Sequence, residues 1–266
     1  MNYTLTEDIL RANGFSCRYI AFGKGKEPMV LIPGLSMKSL KTSARSVAAS
    51  NRVFTDRYRV YVFDSREDLP PGFTVEDMAE DLSCCMKALG LSGADILGIS
   101  QGGMIAQYLA VRHPELVRKL VLAVTLGKIN EALSSLCDRW TDFIRDENYE
   151  GLSEDVLSSM YTEGFRERFG WLISGGSIRE TMTDPDRFVI QTRACLSCDI
   201  LDQLDLIRCP VFVIGSRLDR VVTGEDSVLL SDRLGCPMYM YEDCGHAVYE
   251  EKARDFTRRV LSFFEE

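Results

Sequence analysis

Gly98-Ile99-Ser100-Gln101-Gly102-Gly103 singles out one serine of this 266-residue sequence as a candidate nucleophile. Residues 93–97 before it are apolar enough for a short buried strand, and residues 104–111 after it have helical spacing. A serine at the tip of a strand-to-helix turn has a strained backbone, and the residues two before and two after it must be small. Both are glycines here, Gly98 and Gly102. The pattern predicts that Ser100 stands at the edge of a sheet as a nucleophile.

Length and composition predict one large α/β domain of a soluble globular protein, with 45% hydrophobic and 27% charged residues. The net charge of −9, with no basic cluster to offset it, argues against a nucleic acid or an anionic membrane as partner. No segment approaches the roughly 18 apolar residues that span a bilayer. The first residues have neither the basic start nor the apolar stretch of a signal peptide. We therefore expect a cytoplasmic location.

Nine cysteines, an odd and irregularly spaced set, indicate reduced thiols rather than a disulfide framework. Cys195-x-x-Cys198 could be half of a zinc site or a redox pair. No second pair of this spacing exists, and the chain has only two histidines. The sequence therefore predicts no metal and no cofactor.

Apolar segments with the length of strands alternate with helical segments, which is typical of a mostly parallel sheet covered by helices on both faces. Helices are predicted over residues 74–89, with Thr74 as N-cap and Gly90 as the stop, and over residues 248–264. The predicted strands are residues 29–33, 59–64, 93–97, 119–124, 210–215 and 237–241.

Residues 126–205 break this alternation, because they have helical patterns and hold both tryptophans. An insertion of helices between two strands is a natural lid over the carboxyl ends of a parallel sheet, where such sheets bind ligands. We therefore expect a core of residues 1–125 and 206–266 with a helical cap between them. Most cap aromatics should form the core of the cap itself. The candidates for the substrate pocket are Ser36, Trp140, Phe143, Tyr161 and Trp171.

A serine hydroxyl needs a base to accept its proton, and His113 and His246 are the two candidates. His113 ends the helix that follows Ser100 and lies about 20 Å from it, so it is expected to be a C-cap or surface residue. His246 falls in the loop after the last predicted strand, at the same sheet edge as Ser100. His246 is therefore the predicted general base.

The base in turn needs an acid to orient it, and Asp219 follows a predicted strand at the same edge. Residues 125–127, which follow the preceding strand, include no acid. Glu242 and Asp243 are too close to His246 in sequence to reach its far side. Asp219 is therefore the predicted acid.

Acyl chemistry also needs N–H donors for the oxyanion. The backbone N–H of Gln101 is one candidate. The N–H of Leu35 is the second, because Gly34 before it permits a tight turn. The Ser36 hydroxyl could add a third donor or simply belong to the turn.

Together these residues resemble the α/β-hydrolase superfamily. Its triad occurs in the chain order Ser, Asp, His, which is the order of Ser100, Asp219 and His246 here. The likeness covers essentially the whole chain. The chain departs from the family at Pro33, where members often have histidine, and at residues 65–68, where an Arg-Gly-x-Gly turn is usual. Further segments similar to capped members are Pro33-Gly34-Leu35, Phe63-Asp64-Ser65-Arg66, residues 75–82 and residues 113–117.

The resemblance implies hydrolysis of a small, mostly apolar carboxylic ester or lactone through an acyl-enzyme. Serine at position 100 argues against the epoxide hydrolases and haloalkane dehalogenases of the superfamily, which have aspartate there. The alternatives on this fold are a C–C bond hydrolase, an acyltransferase and a non-catalytic ligand-binding receptor. In the cap, Arg179, Arg187 and Arg193 could bind a substrate carboxylate or lie solvated at the surface.

Overall fold

The computed structural model describes residues 4–173, 182 and 184–266, and these residues form an eight-stranded sheet flanked by helices. The strands are β1 (Leu5–Ala12), β2 (Phe15–Phe22), β3 (Glu27–Ile32), β4 (Tyr58–Arg66), β5 (Ala94–Ile99), β6 (Val117–Ala123), β7 (Val211–Ser216) and β8 (Met238–Tyr241). Their order in the sheet is β1-β2-β4-β3-β5-β6-β7-β8. β2 pairs antiparallel with β1 and β4, and the remaining neighbours pair parallel, which confirms the predicted fold class.

The helices fill the connections between the parallel strands, and the predicted Thr74 cap is confirmed as a capping box with Asp77. Such a cap contributes about 1 kcal/mol. In the described ranges the α-helices are α1 (Leu40–Ser50), α2 (Val75–Ala88), α3 (Gln101–Arg112), α4 (Glu131–Arg145), α5 (Tyr149–Met160), α6 (Glu163–Ile173), α7 (Pro185–Ala194), α8 (Gly224–Leu234), α9 (Val248–Glu251) and α10 (Ala253–Glu265). Helices α4, α5, α6 and α7 lie between β6 and β7, and the cap boundaries at residues 126 and 205 stay a prediction. None of the helices in the described ranges is long and apolar enough to cross a membrane.

The structure corrects the sequence prediction at both ends of the chain. β1 and β2, which the pattern of buried strands did not predict, form a hairpin whose turn residues Asn13 and Gly14 both have positive φ, 46° and 82°. The predicted single helix over residues 248–264 is two helices, because Lys252 leaves the helical region with φ −125° and ψ 34°. The break lets α10 turn Phe256 and Val260 into the core.

The core lies on both faces of the sheet because successive strand residues point to opposite sides. In β5, Ile96 belongs to the cluster beneath α2 and α3, and Leu97 belongs to the cluster beneath α1 and α10. Both side chains are almost fully buried. Each such side chain contributes about 1.5–3 kcal/mol on burial. This two-sided core fixes the sheet edge at which Ser100 stands.

The turn between β5 and α3 depends on glycines at two close approaches. A Cβ on Gly102 would lie 2.0 Å from the carbonyl oxygen of Ile32, and a Cβ on Gly98 would lie 2.7 Å from the carbonyl oxygen of Gly102. Between them Ser100 has φ 54° and ψ −122°, a strained conformation that costs about 1–3 kcal/mol. The predicted strand–turn–helix around Ser100 is therefore present.

Gly102→Ala is expected to lower the free energy of unfolding by about 3 kcal/mol or more, because its Cβ meets backbone atoms that no rotamer change can move. Gly164→Ala is the matched control, since nothing lies within 4 Å of a Cβ there. Alanine in that helix should be neutral or stabilising by up to about 1 kcal/mol. Urea unfolding followed by circular dichroism measures both variants. If Gly102→Ala and Gly164→Ala changed the free energy of unfolding equally, the close approach of Gly102 to the carbonyl of Ile32 would be contradicted.

Candidate active site

The three residues predicted as a triad all follow strands at the carboxyl edge of the sheet. Ser100 lies between β5 and α3, Asp219 follows β7, and His246 follows β8. Because β5, β6, β7 and β8 are consecutive neighbours in the sheet, their loops share one stretch of this edge. The site is built from residues far apart in sequence by the strand order alone.

The backbone of Ser100 is held by the neighbouring strand β6. Its N–H donates to the carbonyl oxygen of Ala123 at 2.9 Å. Its carbonyl oxygen accepts a hydrogen bond from the Thr125 hydroxyl at 2.7 Å. The strained residue is therefore fixed on both sides, and its side chain is half-buried at the start of α3.

Asp219 and His246 form a buried pair, with 2.7 Å between Asp219 Oδ2 and His246 Nδ1. Their side chains are only 1% and 2% exposed. The other carboxylate oxygen, Oδ1, accepts the N–H groups of Val221 at 2.7 Å and Val222 at 2.9 Å. The carboxylate is thus fixed by its own loop, and because a carboxylate only accepts hydrogen bonds, the contact favours a proton on Nδ1 of the ring.

The loop that carries His246 is bonded to the core on one side. The Ser216 hydroxyl and the Leu218 N–H both donate to the carbonyl oxygen of Cys244, at 2.6 and 3.1 Å. Burial raises the pKa of the Cys244 thiol to about 12, so this cysteine stays protonated at neutral pH. It is therefore a packing residue rather than a competing nucleophile beside His246.

The same loop is bonded to the segment between α5 and α6 on its other side. The Ala247 N–H donates to the carbonyl oxygen of Met160 at 2.8 Å. Glu251 accepts from the Gly245 N–H at 3.1 Å and from the N–H and hydroxyl of Thr162 at 3.0 and 2.8 Å. Sequence patterns gave no signal for this link, because it joins residues about ninety positions apart.

The two predicted oxyanion donors lie on either side of Ser100. A Cβ on Gly34 would be 3.1 Å from Ser100 Cβ, which brings the loop of Gly34 and Leu35 against the serine. Gln101 opens α3, whose N-terminus carries a partial positive charge. Within the described residues, neither the Leu35 N–H nor the Gln101 N–H donates a hydrogen bond. Both donors are available to an external acceptor.

The side chain of Gln101 joins this helix to α7. Its Nε2 donates to the carbonyl oxygen of Gln191 at 2.6 Å and to Cys195 Sγ at 3.1 Å.

Cys198 is buried, and burial raises the pKa of its thiol to about 12. In the described ranges, no group of three or more His, Cys, Asp or Glu side chains is arranged to hold a metal ion.

A cavity of about 160 Å³ opens beside Gly34 and Gln101, between the ends of β3 and β4 and helices α1, α2 and α7. Ser36, one of the candidate pocket residues, lines this cavity. Its apolar lining includes Leu31, Val62, Phe63, Met78, Leu82 and Phe188. Among the described side chains, those of Trp140, Phe143 and Tyr161 do not line this cavity.

The cap aromatics contact one another and the loops around them. The Trp140 indole N–H donates to Asp155 Oδ2 at 2.7 Å, and the side chain is 6% exposed. The Tyr161 hydroxyl donates to Glu250 at 2.7 Å. Phe143 is half-buried against Gly151. The side chain of Trp171 lies outside the described part of the structure.

A charged cluster that sequence analysis did not predict lies in the wall of the cavity. Asp64 Oδ2 accepts from the Ser39 hydroxyl at 3.0 Å and from the Leu40 N–H at 3.1 Å. Asp64 Oδ1 accepts from the Ser65 N–H at 3.0 Å and from Arg187 Nη2 at 3.2 Å. Arg187 is therefore neither solvated nor free. Arg193 is exposed, and Arg179 lies outside the described residues.

His113 lies away from this edge, at the C-cap of α3 as predicted. Its Nε2 is 3.0 Å from Glu80 Oε2, and its Nδ1 is 3.0 Å from Lys87 Nζ. These contacts tie α3 to α2 and keep the ring out of the active-site region.

Comparisons with known proteins agree with this architecture. The family model of the alpha/beta hydrolase fold matches residues 27–253. A 3-oxoadipate enol-lactonase of Acinetobacter baylyi is 23% identical over 262 residues, 96% of this chain and 95% of its own. A serine hydrolase of Mus musculus is 24% identical over an alignment of 272 residues, which covers 98% of this chain and 87% of that protein. The enol-lactonase structure from Burkholderia xenovorans LB400 has a TM-score of 0.83 at 23% identity, covering 97% of this chain and 100% of that one.

This chain belongs to the α/β-hydrolase family, and it is a hydrolase enzyme built on that fold.

Asp219→Ala is expected to lower the free energy of unfolding by about 3 kcal/mol, because two backbone N–H groups and the imidazole lose a buried acceptor. Asp219→Asn keeps an oxygen for Val221 and Val222, so a loss of only about 1 kcal/mol is expected. Chemical denaturation measures both, with Asp232→Asn on the exposed face of α8 as control. If the two Asp219 variants lost equal stability, the backbone bonds would not be what holds the loop.

Proposed function

We propose that this enzyme hydrolyses carboxylic esters or lactones through a triad of Ser100, His246 and Asp219. The observation that carries the proposal is the buried 2.7 Å pair of Asp219 and His246 at the sheet edge where Ser100 has a φ of 54°. A strained serine and an oriented imidazole are each costly to maintain, and together they are the parts that acyl transfer requires.

In the proposed mechanism, Ser100 Oγ attacks the substrate carbonyl carbon while His246 Nε2 accepts the hydroxyl proton. Asp219 stabilises the imidazolium that forms and keeps its ring in place. The tetrahedral intermediate collapses to an acyl-enzyme when His246 returns the proton to the leaving alkoxide. Water then attacks the acyl-enzyme with His246 as base again, and the carboxylic acid product leaves with Ser100 restored.

The oxyanion of each intermediate is proposed to accept hydrogen bonds from the Leu35 and Gln101 N–H groups. Such a donor contributes about 3–4 kcal/mol to transition-state stabilisation. Two features support this role. The loop of Gly34 lies against the serine, and neither N–H donates to another described residue.

The names of the relatives support the ester or lactone assignment. One is named an enol-lactonase and one a serine hydrolase. A lactone is a cyclic ester, so the acyl-enzyme chemistry is the same. We extend the assignment to a small, mostly apolar substrate because the lining of the cavity beside Gly34 and Gln101 is largely aliphatic and aromatic.

We also propose that residues 126–205 act as the cap over this site. Support comes from the two bonds that join α7 to the core, one from Gln101 to the Gln191 carbonyl and one from Arg187 to Asp64.

The nine cysteines are all free thiols. That state is maintained in the reducing cytoplasm, which is the location we propose.

Ser100→Ala is expected to lower kcat/KM for p-nitrophenyl esters by at least about 10⁴-fold, because the nucleophile is removed. A fluorophosphonate probe should label the unmodified enzyme and leave this variant unlabelled. Ser46→Ala, on the exposed face of α1, is the matched control and should behave like the unmodified enzyme. Persistent labelling of Ser100→Ala would place the nucleophile elsewhere.

A series of esters from acetate to decanoate completes this experiment. Turnover with an optimum at short or medium chains is the expected result. Labelling of Ser100 without turnover of any ester or lactone would instead favour a C–C bond hydrolase or an acyltransferase. If the enzyme were neither labelled by the probe nor active on any ester or lactone, that result would favour a ligand-binding receptor.

Asp219→Asn is expected to lower kcat by about 10⁴-fold while leaving the protein folded. The amide cannot accept the Nδ1 proton, so the ring takes the tautomer whose Nε2 cannot accept a proton from serine. Steady-state kinetics measures the effect, with circular dichroism as the check on folding. A decrease smaller than tenfold would remove Asp219 from the proposed triad.

A further inference from the structure

We propose that the cavity beside Gly34 and Gln101 receives an uncharged acyl group of up to about six carbons and excludes acyl groups that end in a carboxylate. The inference rests on the proposed acyl-enzyme function and adds the substrate class to it. It comes from where the cavity lies, how large it is and how its charges are already paired.

The position of the cavity assigns it to the acyl group. Gly34 and Gln101 both line it, and they flank Ser100 on the side of the proposed oxyanion donors. Neither Ser100 nor His246 lines it among the described residues, so the cavity begins next to the serine, at Gly34 and Gln101. In the proposed mechanism His246 protonates the leaving group, and we assign the cavity beside the oxyanion donors to the acyl chain attached to Ser100 Oγ.

The size and the apolar lining set the chain length. A volume of about 160 Å³ is close to that of an engineered apolar cavity that binds benzene. The lining side chains around it, Leu31, Val62, Met78, Leu82 and Phe188, offer dispersion contacts but no charge. An aliphatic or aromatic acyl group of about six carbons fits this space.

Arg187 offers no hydrogen bonds to a substrate carboxylate from its two terminal nitrogens. Nη2 donates to Asp64 Oδ1 at 3.2 Å and to the carbonyl oxygen of Ser65 at 2.7 Å. Nη1 donates to the carbonyl oxygens of Arg66 and Glu67 at 2.6 and 3.4 Å. These four bonds use every N–H of the two terminal nitrogens. Both terminal nitrogens are therefore committed to Asp64 and to the carbonyl groups of residues 65–67.

The second arginine of the wall is committed as well. Arg66 donates from Nε and Nη2 to the two oxygens of Asp81, the first at 2.6 Å. Its guanidinium also lies 4.5 Å from the ring centroid of Phe15 and 4.9 Å from that of Phe73. Lys38, the remaining lysine or arginine among the described lining residues, is exposed to solvent.

A substrate carboxylate in this cavity would therefore lose its water without gaining an unpaired buried cation. The carboxylates of Asp64 and Asp81 line the same space, and they already neutralise Arg187 and Arg66. The cost of removing an anion from water is therefore not offset by a net positive charge in the wall. A neutral acyl group does not meet this cost.

The test compares p-nitrophenyl hexanoate with mono-p-nitrophenyl adipate near neutral pH. The two acyl groups have the same number of carbons, and one ends in a methyl group and the other in a carboxylate. We expect kcat/KM to be at least about 100-fold higher for the hexanoate, given the cost of burying an unpaired charge. Equal values, or a preference for the adipate, would overturn the inference.

Two variants test the charge pairing itself, and each is judged by the ratio of the two kcat/KM values. Asp64→Asn leaves the Arg187 charge uncompensated and should reduce the preference for hexanoate by about fivefold or more. Arg187→Met leaves Asp64 unpaired and should keep or increase the preference. Asp232→Asn should not change it. Because the ratio is taken on one preparation, a loss of folded enzyme cancels, and an unchanged ratio in Asp64→Asn would overturn the pairing argument.

Binding to Ser100→Ala separates this inference from the proposed function. Ligand-observed NMR would compare hexanamide with the monoamide of adipic acid, neither of which needs turnover to be detected. Binding of hexanamide alone would support the inference even if no ester were hydrolysed, and the absence of turnover would then count only against the proposed function. Equal binding of the two amides, or binding of the acid alone, would overturn the inference.

Discussion

The approach of the first turn of α3 to the end of β3 is the constraint on which the site depends. At Gly102 the backbone of the helix and the carbonyl of Ile32 are so close that no side chain fits between them. This approach forces Ser100 into its strained conformation and brings the loop of Gly34 against it. The strain is offset locally, because the N–H of Ser100 bonds to Ala123 at the end of β6 and its carbonyl oxygen bonds to Thr125 just after it. The candidate nucleophile and both candidate oxyanion donors therefore lie around one packing contact between backbones.

Asp64 extends this organisation from the sheet edge to α7. One of its oxygens accepts from Ser39 and Leu40, where α1 begins after the loop of Gly34, and the other accepts from Arg187 on α7. The carboxylate therefore holds the start of α1 and α7 at the same time. Removing one partner of such a partly buried pair leaves an uncompensated charge, whereas the intact pair contributes little net stability. The pair of Asp64 and Arg187 matters for geometry, because it positions the wall of the cavity and leaves that part of the wall without net charge.

Local patterns in the sequence predicted the parallel strands and the turn at Ser100, because both are dictated by residues close together in the chain. The Asn13-Gly14 turn carried a signal for the missed hairpin, but the polar alternation of β1 does not resemble a buried strand. The sequence did not predict which way the side chains of the cap helices face. Trp140 and Tyr161 have the apolar character expected of pocket residues, yet they hydrogen-bond to Asp155 and Glu250, and neither lines the cavity among the described side chains. Which face of a cap helix meets a cavity is set by tertiary packing, which no local spacing encodes.

Two carboxylates near this edge, Asp219 and Asp64, differ in their partners, and we expect them to differ in role for that reason. Asp219 is surrounded by neutral donors, two backbone N–H groups and an imidazole, so its negative charge is not cancelled and can stabilise a positive charge that develops on His246. Asp64 faces the guanidinium of Arg187, so its charge is already cancelled and it can only hold structure. A carboxylate acts in catalysis where its compensating charge appears during the reaction rather than before it. By that criterion we assign the proposed acid role to Asp219, and we place Asp64 in the wall of the proposed acyl cavity.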